Sequence, residues 1–257
     1  MQRTDSGRPA LIRRLALAAA LSALLAATFA TALLTTQASA GITASAVTVR
    51  VEGTKTTLLP ATRVVLSTNR VTKNGVAADS CAGTSAAGAL ELATHGDWTA
   101  SWSASYKAYF LTGIEGLSFP SAGAEYWAFW VNDAPASEGI CGYDPRPGDS
   151  VLFFPDCYGK KCPKSTGVLG VKAASVAVLG TPFKVAVTAY SDAKGTPSKA
   201  VGATVSAGGS SARTTAAGTA TLTFTHAGAL TLKVTAPHAI RTEASVCVEA
   251  AGAKSCA

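Results

Sequence analysis

At 257 residues the chain has room for one or two domains. Its formal charge of +7 overstates the basic character, because Arg3, Arg8, Arg13, Arg14 and Asp5 crowd the first forty residues; beyond them 18 basic and 14 acidic residues leave about +4. No basic run is interleaved with aromatics, so nucleic-acid binding has no support, and the abundance of Ala, Gly, Thr and Ser suits short strands and turns better than long helices.

Residues 1–40 read as a secretory signal. The four arginines form a charged leader, Leu15–Leu34 is apolar, and Ala38-Ser39-Ala40 is a small-residue cleavage site. The expected mature start is Gly41. The competing reading is an uncleaved anchor, since the apolar run is long enough to span a bilayer.

Beyond the signal, Val47, Val49 and Val51 alternate with polar residues, the pattern of a half-buried strand. A turn at Glu52–Lys55 leads into a second extended region over Thr56–Ser67, and Asn74-Gly75 marks a further turn. Thr84 or Ser85 can cap a helix running to about Thr94, with Ala86, Leu90 and Ala93 on one face and Gly96 as its stop. Trp98–Phe110 reads as one or two strands. The even spacing of Trp98, Trp102, Tyr106 and Phe110 assigns all four to one face. A Gly/Ser/Pro loop follows over 115–124.

The most informative stretch is Tyr126–Pro155. Tyr126–Val131 and Ser150–Phe154 are predicted strands of one buried sheet, separated by a turn at Asn132-Asp133 and another over Pro145–Asp149. Alternation divides the first strand into Trp127/Phe129/Val131, assigned to the core, and Tyr126/Ala128/Trp130 on the opposite face. Exposed aromatics there can stack on a ring-shaped ligand or a sugar. The alternative is that the Ala134–Pro147 segment covers them.

Pro163–Gly167 is the expected linker. After it there is no Trp and no helix signal. Short alternating runs recur at Lys184–Ala189, Ala203–Ser206, Thr219–Thr225, Leu230–Thr235 and Ala244–Val248. Turns at Asp192–Pro197, Gly208-Gly209, Ala217-Gly218 and Ala227-Gly228 separate them, which argues for a β-sandwich. The expected division is a signal over 1–40, a first domain over 41–164 and a sandwich over 165–257.

The first domain resembles the transcobalamin-like (DUF4430) β-grasp family. The resemblance rests on Tyr126-Trp127-x-Phe129-x-Val131-Asn132, Gly139-Ile140-Cys141 and Gly148-Asp149-x-Val151-x-Phe153. Upstream it adds the helix start Cys81-x-x-Thr84-Ser85-Ala86-x-Gly88-Ala89-Leu90 and the strand Tyr109-Phe110-x-x-x-Ile114-x-Gly116. It covers about residues 46–156. It implies a β-grasp domain with one short helix and a ligand-binding role; the helical-barrel partner that accompanies a corrinoid-covering domain in transcobalamin-like proteins is missing. The segment Gly202–Leu222 resembles bacterial immunoglobulin-like repeats. The expected fold class is therefore mainly β (α+β), a β-grasp domain followed by an Ig-like β-sandwich.

Six cysteines in an exported chain point to disulfides and allow fifteen pairings. Locality and the family resemblance together imply Cys81–Cys141, Cys157–Cys162 and Cys247–Cys256. The alternative is a metal site at Cys81, Cys141, Cys157 and Cys162, disfavoured because thiolates oxidise outside the cell.

Signals for catalysis are weak. Gly83-Thr-Ser85-Ala-Ala87 misses the nucleophile-elbow pattern at its last position, and Ser85 is better explained as a helix cap. His95 sits at a predicted helix end, where a structural role is usual. Asp144 and Asp149 flank Pro145–Gly148 as turn residues. No catalytic residue, metal ligand or cofactor is expected. The candidate ligand-binding set is Tyr126, Trp130 and Asn132, for an unknown small-molecule or cell-surface partner. No membrane span is expected once the signal is cleaved. The reading is a secreted, non-catalytic binding protein; a structural or adhesive protein, with the Ig-like half as spacer, or a hydrolase is the alternative.

Overall fold

The computed structural model describes residues 45–119, 123–159, 162, 167–191, 194–252 and 256. The signal, its cleavage site and most of the expected linker (163–166) lie outside these residues. The described chain is mainly β, with one short helix among the described residues, and 44–257 forms one compact unit.

The first half is built on a five-stranded sheet. β1 (Ala46–Glu52) and β2 (Thr57–Val65) form a hairpin. β6 (Glu125–Val131), β7 (Ala134–Pro135) and β8 (Ser150–Cys157) complete the order β2-β1-β8-β6-β7. β1 runs parallel to β8, with Val49 opposite Val151 and Val51 opposite Phe153. Helix α1 (Ala86–Ala93) packs its Ala86, Leu90 and Ala93 against the valines of β1. Hairpin, helix and a last strand parallel to the first make the grasp arrangement.

Ser85 caps α1 by accepting from the Gly88 amide, as the sequence predicts. The amides of Ala86 and Ala87 donate to the carbonyls of Tyr143 and Ile140, so the segment before β8 satisfies donors that a helix start leaves unpaired. Cys81–Cys141 fastens that segment to the helix approach. A side chain at Gly88 would run into the Gly83 carbonyl, and one at Gly83 into the carbonyls of Asn69 and Ser67, so neither position has room for one.

A second sheet joins β3 (Trp98–Ser103), β4 (Ala108–Ile114) and β5 (Leu117–Ser118). Here one expectation fails. The even spacing of Trp98, Trp102, Tyr106 and Phe110 runs across a hairpin turn, and Lys107 takes a left-handed φ of 48°. Register restarts beyond the turn, with Trp102 opposite Tyr109 and Ser101 opposite Phe110. Trp98, Trp102 and Tyr109 pack inward, whereas Tyr106 and Phe110 are exposed.

In the second half two sheets enclose one core. β10 (Val176–Val178), β18 (Thr242–Glu249), β16 (Gly228–Thr235), β13 (Thr204–Ala207) and β14 (Ser210–Arg213) form one sheet in that order. β12 (Thr196–Lys199), β11 (Pro182–Ser191), β9 (Gly167–Ala173) and β17 (Ala239–Ile240) form the other, and β15 (Thr219–Thr223) pairs with β11. Val185, Leu222, Phe224, Leu232, Val234 and Val246 fill the space between them. The five expected runs each overlap a strand, β11, β13, β15, β16 and β18; β9 and the short β10, β12, β14 and β17 are not among them. Residues 192 and 193 of the expected Asp192–Pro197 turn lie outside the described residues.

The two halves are joined by a third apolar cluster of Trp130, Leu152, Phe154 and Val168, flanked by Tyr190 and Ile240. A buried charge network lies beside it. Fully buried Glu52 receives Arg50 Nη1 at 3.0 Å and Arg241 Nη1 at 3.1 Å, and Thr57 Oγ1 donates to it at 3.0 Å. Arg241 also donates to the carbonyls of Gly53 and Thr54, tying the β17–β18 corner to the β1–β2 turn.

All six cysteines are paired, as Cys81–Cys141, Cys157–Cys162 and Cys247–Cys256. Such bonds persist in an oxidising, extracellular-type environment. Among the described residues no helix is long and apolar enough to cross a membrane, and no cluster of His, Cys, Asp and Glu is arranged to hold a metal ion.

Candidate functional site: an aromatic cleft between two sheets

The three sequence candidates do not share one surface. Trp130 is only 7% exposed and packs edge-on to Phe154 at 5.8 Å. Its face of the sheet is covered by Val168, Tyr190 and Ile240 of the second half, rather than by the Ala134–Pro147 segment. At Trp130 and Val131 both faces of β6 are therefore buried, and Trp130 offers no platform to a ligand. Asn132 holds a turn. With Asp133 it takes positive φ, its side-chain amide donates to Asp149 at 2.7 Å, and its carbonyl oxygen accepts from the Ser150 amide. Asn132 is exposed but its side chain is taken up by that turn, so of the three Tyr126 alone, at 40% exposure, borders a cleft.

Tyr126 stands at a cleft of about 440 Å³ between the β3–β4 hairpin and β6, within the size range of small-molecule sites. Tyr106 and Ala108–Leu111 form one wall, Tyr126, Trp127 and Phe129 the other, and Gly139-Ile140 also line it. Four consecutive residues of β4 line it, so β4 presents an edge here rather than a face. β5 pairs with β4 only at Gly113 and Ile114, and β7 pairs with β6 only at Trp130 and Val131, so among the described residues neither edge has a strand partner along the cleft.

The walls are held from behind. Tyr109 packs edge-on to Trp102 at 4.9 Å, and its hydroxyl accepts from the Lys73 amide at 2.9 Å while lying at 3.1 Å from Asn74 Oδ1. Phe129 stacks on Phe153 at 5.6 Å. Tyr106 (73% exposed) and Phe110 (52% exposed) make an edge-to-face pair at 5.6 Å on the outer side of the hairpin. Tyr126 donates to Asp156 at 3.0 Å; burial first, then the charge of Asp156 and that bond, push its phenol up to about 12, so it stays protonated at neutral pH. Among the described residues no charged side chain lines the cleft. A groove of about 500 Å³ at the junction of the halves is lined by Lys55, Glu125, Asp156, His238 and Arg241, but it has no aromatic wall and Arg241 is committed to Glu52.

The residues weighed for catalysis each serve a separate local role. Ser85 is fully buried at its cap, where its hydroxyl also donates to the Ala82 carbonyl; His95 is exposed past the end of α1; Asp149 binds the turn through Asn132 and the Arg146 amide. Sequence reasoning missed Tyr106 and Phe110 because it placed them on one face with Trp98 and Trp102. The available signal was Ser103–Lys107, a polar, turn-forming break in the aromatic series.

No curated protein matches the chain. Among solved structures, the Arg-specific cysteine proteinase gingipain R is similar over 39% of this chain and 22% of its own length, at 17% identity and a TM-score of 0.26, a level that carries no argument. Residues 89–154, which run from α1 through β8 and hold the whole cleft, match DUF4430, a domain of unknown function.

Proposed function

We propose that this is an exported, non-catalytic binding protein whose β-grasp half takes a ring-faced ligand in the cleft between β4 and β6. One observation carries the reading: solvent-exposed Tyr106, Phe110 and Tyr126 flank a cleft whose described lining residues carry no charge. Aromatic faces of this kind attract rings and sugar C–H faces without bond-making chemistry. The three disulfides and the basic-then-apolar leader support export with cleavage after Ala40. The second half serves as an Ig-like module that also supports the sheet from behind, through the cluster around Trp130.

The test is a thermal-shift panel of corrinoids, neutral glycans and cell-wall fragments on the full chain. A ligand of the native state raises the melting temperature by mass action. The shift should vanish in a Tyr106→Ala/Phe110→Ala variant, whose exposed side chains are dispensable for folding. A shift that survives this double substitution moves the site elsewhere, and turnover of any panel member refutes the non-catalytic reading.

A further inference from the structure

Among the described residues four aromatic side chains are exposed, and they stand as two touching pairs. Tyr106 and Phe110 meet edge-to-face at 5.6 Å on the β4 side of the cleft. Tyr126 lines the β6 side; next to it, outside the cleft lining, Tyr158 lies at 6.0 Å and is 62% exposed. Single apolar groups on a surface are ordinary, but contiguous exposed ones mark a contact surface. Tyr158 is also held in place. Its amide donates to the Ala124 carbonyl at 3.0 Å, immediately before β6, and its neighbour Cys157 is bonded to Cys162. A bridge across a sequence separation of 5 constrains the unfolded chain little, because the entropy it removes grows with loop length. Stability gives little reason for this bond; the fixed position of Tyr158 gives one.

We propose, resting on the cleft reading above, that Tyr158 is a second stacking subsite beside Tyr126, positioned by the Cys157–Cys162 disulfide, and that the ligand is a linear neutral oligosaccharide long enough to touch both aromatic pairs. Three observations select this chemistry. The pairs belong to opposite sides of the cleft, so a single ring resting on one pair leaves the other bare, whereas a chain of rings engages both. Rings that stay 40–73% exposed suit a ligand with an apolar C–H face and a hydroxylated rim that keeps its water; a wholly apolar ligand gains little from so open a surface. Among the described residues no charged side chain lines the cleft, and the Asp156 carboxylate, bonded to the Tyr126 hydroxyl, opposes an anionic chain.

Calorimetry on the full, oxidised chain compares cellohexaose with cellobiose, and N-acetylchitohexaose with N-acetylchitobiose. The hexamer of at least one series should bind about tenfold more tightly than its dimer, the scale of one added aromatic contact. Tyr158→Ala should remove most of that gain and leave the dimer unchanged; the side chain is exposed, so the melting temperature should hold. Cys157→Ser/Cys162→Ser should lose as much hexamer affinity, and adding Tyr158→Ala to it should lose little more, because both act through one contact. A disulfide variant that keeps full hexamer affinity overturns the positioning role. Hexamers and dimers of equal affinity, or a Tyr158→Ala variant that keeps the hexamer gain, overturn the subsite and leave the cleft reading standing, provided that Tyr106→Ala/Phe110→Ala abolishes binding. Absence of binding by both series, or binding of decaproline in their place, also overturns the proposal, and the wider ligand panel then decides the cleft reading separately.

Discussion

Replacing Arg241 by Met should loosen the junction between the halves, and more so at neutral than at acid pH. The substitution keeps an aliphatic stem of similar reach and removes the guanidinium. It deletes one charge-assisted bond to Glu52 at 3.1 Å and two long bonds, at 3.4 and 3.3 Å, to the carbonyls of Gly53 and Thr54. A hydrogen bond to a buried charge is worth about 1.5–3 kcal/mol, and the two long contacts add little, so the expected loss at neutral pH is about 2 kcal/mol. The sign of the pH effect follows from Glu52. Burial raises its carboxyl above the ordinary value, against Arg50, the Thr57 hydroxyl and Arg241, while Glu243 adds to the rise. A raised carboxyl contributes stability that is fully present below its unfolded value and is lost as pH rises through its folded value. Without Arg241 the folded value climbs further, so the variant loses more stability on the way to neutrality. Urea unfolding of the full chain at neutral pH and near pH 4, read by tryptophan fluorescence, gives both quantities. A deficit below about 0.5 kcal/mol, or one that grows as pH falls, refutes the argument that Arg241 holds Glu52 in its charged state.

Four further outcomes are expected. Converting Cys81 and Cys141 together to Ser, which opens a link across a sequence separation of 60, should cost roughly 2–5 kcal/mol in chemical denaturation; non-reducing peptide mapping that joins Cys81 to Cys157 or Cys162 would remove the basis for it. Trp130→Ala should cost about 3–5 kcal/mol because it empties the junction cluster, and a loss under 1 kcal/mol would mean that the halves do not depend on it. Gly88→Ala, which in an ordinary helix interior gains about 1 kcal/mol, should instead lower the melting temperature, because the new methyl meets the Gly83 carbonyl; a rise would show that the helix can shift. Fragments 41–164 and 165–257 should each fold, since each has its own core, and the first should melt below the intact chain once Trp130 and Phe154 lose their cover; a second fragment that folds only when the first is added would contradict the boundary.

Local pattern made much of the fold legible. Alternating valines marked β1, the small-residue run after Ser85 marked α1, and the positive-φ pair Asn132-Asp133 marked the turn after β6. What local pattern lacks is knowledge of how many layers cover a strand. Period-two alternation separated Trp127 from Trp130 correctly, but at Trp130 and Val131 β6 is covered on both faces, so alternation could not tell a buried aromatic from an available one. The Tyr106/Phe110 error has a different origin. Counting by twos is valid only within one strand, and the left-handed Lys107 restarts the count. The cleft depends on two strand edges from separate sheets, a long-range juxtaposition that neither strand records in its own residues.

The parallel pairing of β1 with β8 sets an order on folding. Residues 48–51 find their central partner only in residues 150–153, so the main sheet of the first half cannot close until nearly all of that half has been made. Until then β1 has β2 alone beside it, and one valine-rich edge stays open to other chains. Closure across so long an intervening segment is slow by comparison with local hairpins. Cys141 precedes β8, so oxidation with Cys81 can draw the ends of that segment together before the last strand docks. The bond then acts on the rate of assembly as well as on the finished fold, and its absence should appear first as slow refolding and aggregation during production.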